Sequence, residues 1–166
     1  MDPYHAGNND ADYQTLKHFA NFSYFQRKID TMINAIQHLN YLSVLIASVA
    51  YFILGAIWYS KFLFAKQWME LTGATMGDRT GLARIMILGF LYTLLIVFVT
   101  GVMIHLSRCH QFTDCMQVGI MLGVGYAAGI LGMSYGYQKK PLTLVLIDAG
   151  YQVCGITLAT AILAKM

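Results

Sequence analysis

Asp148 is the residue whose chemistry most needs an account. It stands in the stretch LIDAGYQ, and residues 142–164 hold no other acid or base. An ionised aspartate at the centre of a bilayer costs about 2.5–3.5 kcal/mol on insertion scales. A carboxyl kept there is protonated, hydrogen-bonded to another helix, or open to a polar cavity. Three roles follow: a structural clamp, a proton or cation relay, or a substrate contact. A second set, HLSRCHQFTDC, offers His105, Cys109, His110 and Cys115 as soft-metal ligands. Zinc sites pair their ligands at short regular spacings, and this set does not, so no metal is expected. Cys109 and Cys115 read as ordinary loop thiols, with a disulfide as the alternative if their loop faces an oxidising space. Cys154 reads as a small apolar packing residue. With one histidine near a span, paired haem ligation is not expected, nor is any other cofactor. The chain lacks H-E-x-x-H, a phosphate-cradling loop and C-x-x-C, so no catalysis of its own is expected.

The elements that hold these residues are apolar helices. The 166 residues are 57% hydrophobic and 11% charged, against roughly a quarter charged in a soluble domain. A span needs about 20 apolar residues, and four segments have that length: about 41–60, 85–107, 115–138 and 142–164. The turns between them are marked by SKFLFAKQ through GDRTG, by RCHQFTDC and by QKKP, with Pro141 expected at the first position of the last helix. Residues 1–39 form a polar extension whose N-terminus has neither the apolar core of a secretory signal nor the Arg-rich look of a presequence. Within it Phe22, Phe25, Ile29, Met32, Ile33, Ile36 and Leu39 recur every three or four residues, which predicts an amphipathic helix over 16–39. That helix would lie on the membrane surface or on a neighbouring subunit. A shorter interfacial helix is expected within 61–73, with Phe62, Phe64 and Trp68 at headgroup depth. The expected fold is an all-α integral membrane four-helix bundle, residues 40–166, preceded by the extension.

Topology supplies partners for the acid. Helix four starts on the side where helix one ends, so Asp148 lies level with Trp58, Tyr59 and Ser60. Helical side chains lean toward the N-terminus, which moves the carboxyl further that way. Any of those three could donate to it, Arg84 could pair with it ionically, and Gln152, one turn on, could extend the set. The third span carries Gly119, Gly123, Gly125, Gly129, Gly132 and Gly136. Pairs four apart admit another helix backbone closely, so this span is expected to be central. Lys139, Lys140 and Arg84 form a basic cluster suited to an anionic headgroup such as cardiolipin's. Six Lys and Arg in the 60–84 and 138–141 loops stand against five on the other side. That bias predicts both termini on the outer side. Net charge is +3 with no basic stripe, so nucleic acid is not an expected partner.

Two stretches, NYLSVLIASVAYFILGAIWYSKFLFAKQWMELTG and KPLTLVLIDAGYQVCGITLATAILAKM, resemble a small membrane family of bacteria and eukaryotes, the domain-of-unknown-function family 1761. The resemblance rests on Gly55, Trp58, Tyr59, Ser60, Phe64 and Trp68, then Pro141, Leu142, Ile147, Asp148, Gly150 and Tyr151. Lys61 departs from it, standing where proline is implied. The resemblance implies four membrane helices and no established activity. The function expected is therefore a structural accessory subunit among other membrane subunits. An inner-mitochondrial respiratory-chain or ATP-synthase assembly is the expected host. The alternative is a homo-oligomeric proton, cation or solute transporter using Asp148.

Overall fold

The structure, a computed structural model, describes residues 6–74, 81–109 and 111–166, and the side chains of 6–12 and of Leu82 are outside that description. Arg79 and His110 fall outside the described residues. Among those residues the chain is all-helical, with four helices long and apolar enough to cross a membrane. It divides into two compact units, one ending at His38 and one beginning at Leu39.

The first unit is α1, Ala6–Gln37, a single helix of 32 residues. Leu16, Phe19, Phe22, Phe25, Met32, Ile33 and Ile36 are all exposed along it.

In the second unit Asn40 caps α2, Tyr41–Trp58, by accepting from the backbone N–H groups of Leu42 and Ser43 at 3.1 and 3.2 Å. This is the ordinary work of an N-cap asparagine. Ser43, Val44, Ala47, Ser48 and Tyr51 form its buried face at helical spacing. After α2 the chain doubles back. The backbone N–H of Phe64 donates to Trp58 O (3.1 Å) and that of Ala65 to Ser60 O (3.2 Å). A tight turn thus forms with lysine at 61, through backbone bonds that need no proline there. It leads into α3, Ala65–Thr72, which ends on Gly73 at φ +74°, the left-handed conformation usual after a helix C-terminus.

The second span, α4 (Leu82–Leu106), begins three residues earlier than expected. The third, α5 (Phe112–Tyr137), is α-helical except for a π-helical stretch at Leu122–Ala128. Such stretches are rare and widen the helix locally. Its C-terminus closes with Lys139 at φ +53°, while Lys140 N–H donates to Tyr135 O (3.0 Å). The last span, α6, runs from Leu142 to Leu163. Pro141 is its N-cap (φ −65°, ψ 144°), one position before that expected, and there its missing N–H costs nothing.

The centre of the bundle is α6, not the glycine-rich α5. α6 packs on α2, α4 and α5 and touches α3. Val44, Ala47, Tyr51, Val97, Ile156 and Ala159 make the core around it. Of the six α5 glycines, three lie at packed positions. A Cβ on Gly119 would collide with Thr160, one on Gly123 would come within 3.1 Å of Val153 Cα, and one on Gly132 would touch Val145. Gly125, Gly129 and Gly136 have nothing beside them and are exposed. The predicted Gly125–Gly129 contact face therefore meets no other helix among the described residues of this unit. The π-helical stretch adds a residue to the turn between them, which takes the glycines out of a single packed stripe.

The loop thiols are a disulfide. Cys109 and Cys115 are bonded, with Cα atoms 5.4 Å apart, because helix α5 starts only a few residues after α4 ends and brings the second cysteine back over the first. Cys154 is exposed on α6 rather than packed inside.

Candidate functional site

The site lies where the C-terminal ends of α2 and α5 meet the first two turns of α6. Asp148 is buried (8% exposed), six residues beyond Leu142. Tyr59, just past the end of α2, donates its hydroxyl to Asp148 Oδ1 at 2.7 Å. Tyr135, two residues before the end of α5, donates to Oδ2 at 2.8 Å. Each carboxyl oxygen therefore takes a phenol from a different helix. One buried side chain joins three helices through bonds to its own atoms. A buried carboxyl is tolerated in this way because its acceptor capacity is used.

The other expected members are arranged differently. Trp58 donates its indole N–H to the backbone carbonyl of Ile147 at 3.1 Å, not to the carboxyl. That carbonyl belongs to the residue before Asp148, so the indole fastens the same turn of α6 from its backbone side. Ser60 serves the turn after α2, its Oγ accepting from Phe62 N–H at 3.3 Å. A hydroxyl that stabilises this turn is held there and does not reach α6. Arg84 is exposed at the start of α4 and is not a partner of Asp148. Its guanidinium keeps its hydration, which a move to the buried acid would sacrifice. Gln152 shares the Asp148 face, but its side-chain oxygen accepts from Tyr51. It makes a second polar tie between α2 and α6, one turn deeper.

Aromatic rings fill the space around these bonds. Tyr151 lies edge-on to Tyr51 and to Tyr59, with centroids 5.3 and 5.4 Å apart, and is 6.5 Å from Trp58. Phe64 and Trp68 from the α3 region add contacts to Trp58 at 5.0 Å and to Tyr59 at 5.6 Å. Their faces are used by the protein itself, while Phe62 alone is left 96% exposed. Glycines let the rings come close. A Cβ on Gly55 would stand 2.9 Å from the Tyr151 hydroxyl, and one on Gly150 would stand 3.2 Å from the Trp58 ring. These two glycines carry the resemblance noted from the sequence and have a steric reason to be there.

Tyr135 and Tyr51 are the members that sequence reasoning missed, and Tyr151 entered it only through the family resemblance. For Tyr135 a signal exists. QKKP makes a tight turn, so a long side chain just before it reaches across the hairpin to the first turns of the next helix. Lys139 and Lys140 are exposed on that same turn. Among the described residues no group of three or more His, Cys, Asp or Glu could hold a metal ion.

What the Asp148 arrangement does chemically is bind helices. Both oxygens face neutral donors, and the surrounding volume is occupied by rings.

Residues 42–164 match the family model described as a protein of unknown function, DUF1761. No curated protein and no solved structure matches the chain.

Proposed function

The chain belongs to the DUF1761 family of proteins of unknown function, and from that premise we propose that it is a structural accessory subunit of a multi-subunit membrane complex, without catalysis of its own. The observation that carries this reading is the state of Asp148, whose two oxygens are both taken by phenols from two neighbouring helices. An acid so engaged holds a bundle together; a relay needs a path to a further acceptor. Two outward features support a subunit rather than a solitary bundle. The face of α1 bearing Phe19, Phe22 and Phe25 is more than 60% exposed at each of these residues. Gly125 and Gly129 present a bare helical surface of the kind to which membrane helices dock.

The host to test first is a respiratory-chain or ATP-synthase assembly of the inner mitochondrial membrane. The orientation we propose puts both termini and the 107–111 loop in the intermembrane space. A Cys109–Cys115 disulfide in that loop fits an oxidising compartment. Lys139, Lys140 and Arg84, exposed toward the opposite face, would then meet anionic headgroups such as cardiolipin. Purification in mild detergent, followed by identification of what travels with the protein, tests the proposal. Co-migration with a defined set of other membrane subunits supports it. A chain that runs alone or only with copies of itself, and whose Asp148→Asn variant assembles normally but loses ion flux, overturns it in favour of transport.

A further inference from the structure

Away from the Asp148 site, α4 and α5 are separated by a groove of about 580 Å³, within the range of ~300–1,000 Å³ common for small-molecule sites. Leu95 and Val99 of α4 form one wall and Ile130 and Leu131 of α5 the other, with Gln152 and Ile156 of α6 at the floor. The π-helical stretch supplies Tyr126 to the rim.

Two groups make this more than an apolar crevice. The Gln152 side-chain oxygen is fixed by the Tyr51 hydroxyl. Its NH₂ group makes no hydrogen bond among the described residues, yet it is not sealed inside the protein. Tyr126 is 70% exposed, and its hydroxyl is available to donate into the groove it borders. Both lie at mid-membrane depth. Gln152 is ten residues after Leu142 and eleven before Leu163, about 15 Å from either end at 1.5 Å per residue. Tyr126 is fourteen residues after Phe112 and eleven before Tyr137.

An amide donor in hydrocarbon with no acceptor is costly, so the depth constrains the ligand. The ester carbonyls of a phospholipid lie at the edges of a hydrocarbon core ~30 Å thick, and its acyl chains offer no acceptor in the middle. The backbone carbonyls of a partner helix are already spent within that helix. A carbonyl compound with an apolar body dissolves at this depth and brings the acceptor with it.

We propose that the α4–α5 groove binds a membrane-dissolved carbonyl compound with a long hydrocarbon tail, of the chemical class of long-chain ketones and prenyl-tailed quinones. Its carbonyl accepts from the Gln152 amide, and Tyr126 donates from the rim. This site is separate from the Asp148 clamp and does not depend on the subunit reading.

The test is equilibrium binding of a radiolabelled decyl-tailed 1,4-benzoquinone to the full chain in phosphatidylcholine nanodiscs. The expected result is saturable binding, displaced by a long-chain ketone and not by hexadecane. Gln152→Leu is expected to weaken it about tenfold and Tyr126→Phe about threefold, the scale of a single hydrogen bond. Val99→Trp fills the groove from α4, away from Tyr51, and abolishes binding even if Gln152→Leu fails to fold. Equal displacement by hexadecane, or unchanged binding in a folded Val99→Trp variant, overturns the proposal. So does disulfide cross-linking of Ile130→Cys between copies with no quinone bound, which would give the groove to a second chain.

Discussion

Helices α5 and α6 are both apolar, both long enough to span a membrane, and joined by a four-residue turn, yet they occupy opposite roles. In its most apolar window α6 has 39% of its residues buried, while α5 has 17%. The glycine-rich helix is the outer one. The helix carrying Asp148, Gln152, Thr157 and Thr160 is the inner one. Small residues allow another helix to come close, but they do not attract one. Buried polar groups demand partners, and partners come from neighbours on several sides. In lipid, where apolar side chains gain little from meeting each other rather than acyl chains, the polar helix goes to the centre.

The sharpest way to break this comparison is to exchange the roles of glycines on the two helices. Gly155 of α6 faces the Tyr51 ring so closely that any Cβ would overlap it, and Tyr51 is 1% exposed with nowhere to move. Gly155→Leu is expected to destabilise the bundle by about 3 kcal/mol, the upper end of ordinary overpacking. The midpoint of an SDS titration followed by tryptophan fluorescence reads this directly, because Trp58 and Trp68 both lie in the ring cluster that would come apart. A midpoint equal to wild type would mean that α6 is not held as described.

Removing the acid comes next. Asp148→Ala leaves two phenols without their acceptor, and a loss of about 2 kcal/mol is expected. Asp148→Asn retains one acceptor oxygen and should lose about half as much. Tyr59→Phe and Tyr135→Phe, combined with Asp148→Ala in double-mutant cycles, separate the two bonds. Each should show a coupling of roughly 0.6–1.7 kcal/mol, between the average and the maximum for hydrogen bonds between membrane helices. Strict additivity in both cycles would remove the clamp.

The outcome of these experiments bears on what the sequence makes legible. Four spans, an amphipathic first helix, and the level of Asp148 with Tyr59 all follow from hydropathy and helix geometry, because they depend on length and rise per residue. The partners of Asp148 are harder, since they depend on rotation about the helix axis. Trp58, Tyr59 and Ser60 are at one depth, but α2 ends at Trp58 and the chain turns there, which sends Tyr59 to the carboxyl, Trp58 to the Ile147 carbonyl and Ser60 into the turn. Tyr135 reaches the acid across the nearest turn, so matching depths between separate helices does not reveal it. The central helix differs from the one the glycines predict because spacing four apart gives a shared face only in an unbroken α-helix, and α5 is π-helical over Leu122–Ala128. No residue in LGVGYAA announces that change. Cys109 and Cys115 were open for a similar reason, since their approach depends on where α5 begins.

A smaller effect separates two readings of the basic end. Arg84→Ala and Ser60→Ala should each change stability by no more than about 0.5 kcal/mol, as exposed or turn-bound side chains do. A loss comparable to that of Asp148→Ala in either variant would restore it to the clamp.

The least effect on the chain itself is expected from Gly125→Leu and Gly129→Leu. Beyond the local helix backbone, neither position has a neighbour within 4 Å of where a Cβ would stand among the described residues, so the SDS midpoint should stay within about 0.5 kcal/mol of wild type. Stability is then the wrong place to look for their purpose. A bare, exposed pair four residues apart on an outer helix is surface another membrane helix can approach closely, and leucine there fills that surface while leaving the bundle intact. The expected result is a folded chain that no longer purifies with other subunits. If Gly125→Leu instead unfolds the bundle as Gly155→Leu does, then α5 is as tightly surrounded as α6, and the contrast between the two helices fails. If it folds and still assembles normally, the partner surface lies elsewhere, with the exposed phenylalanines of α1 the next place to cut.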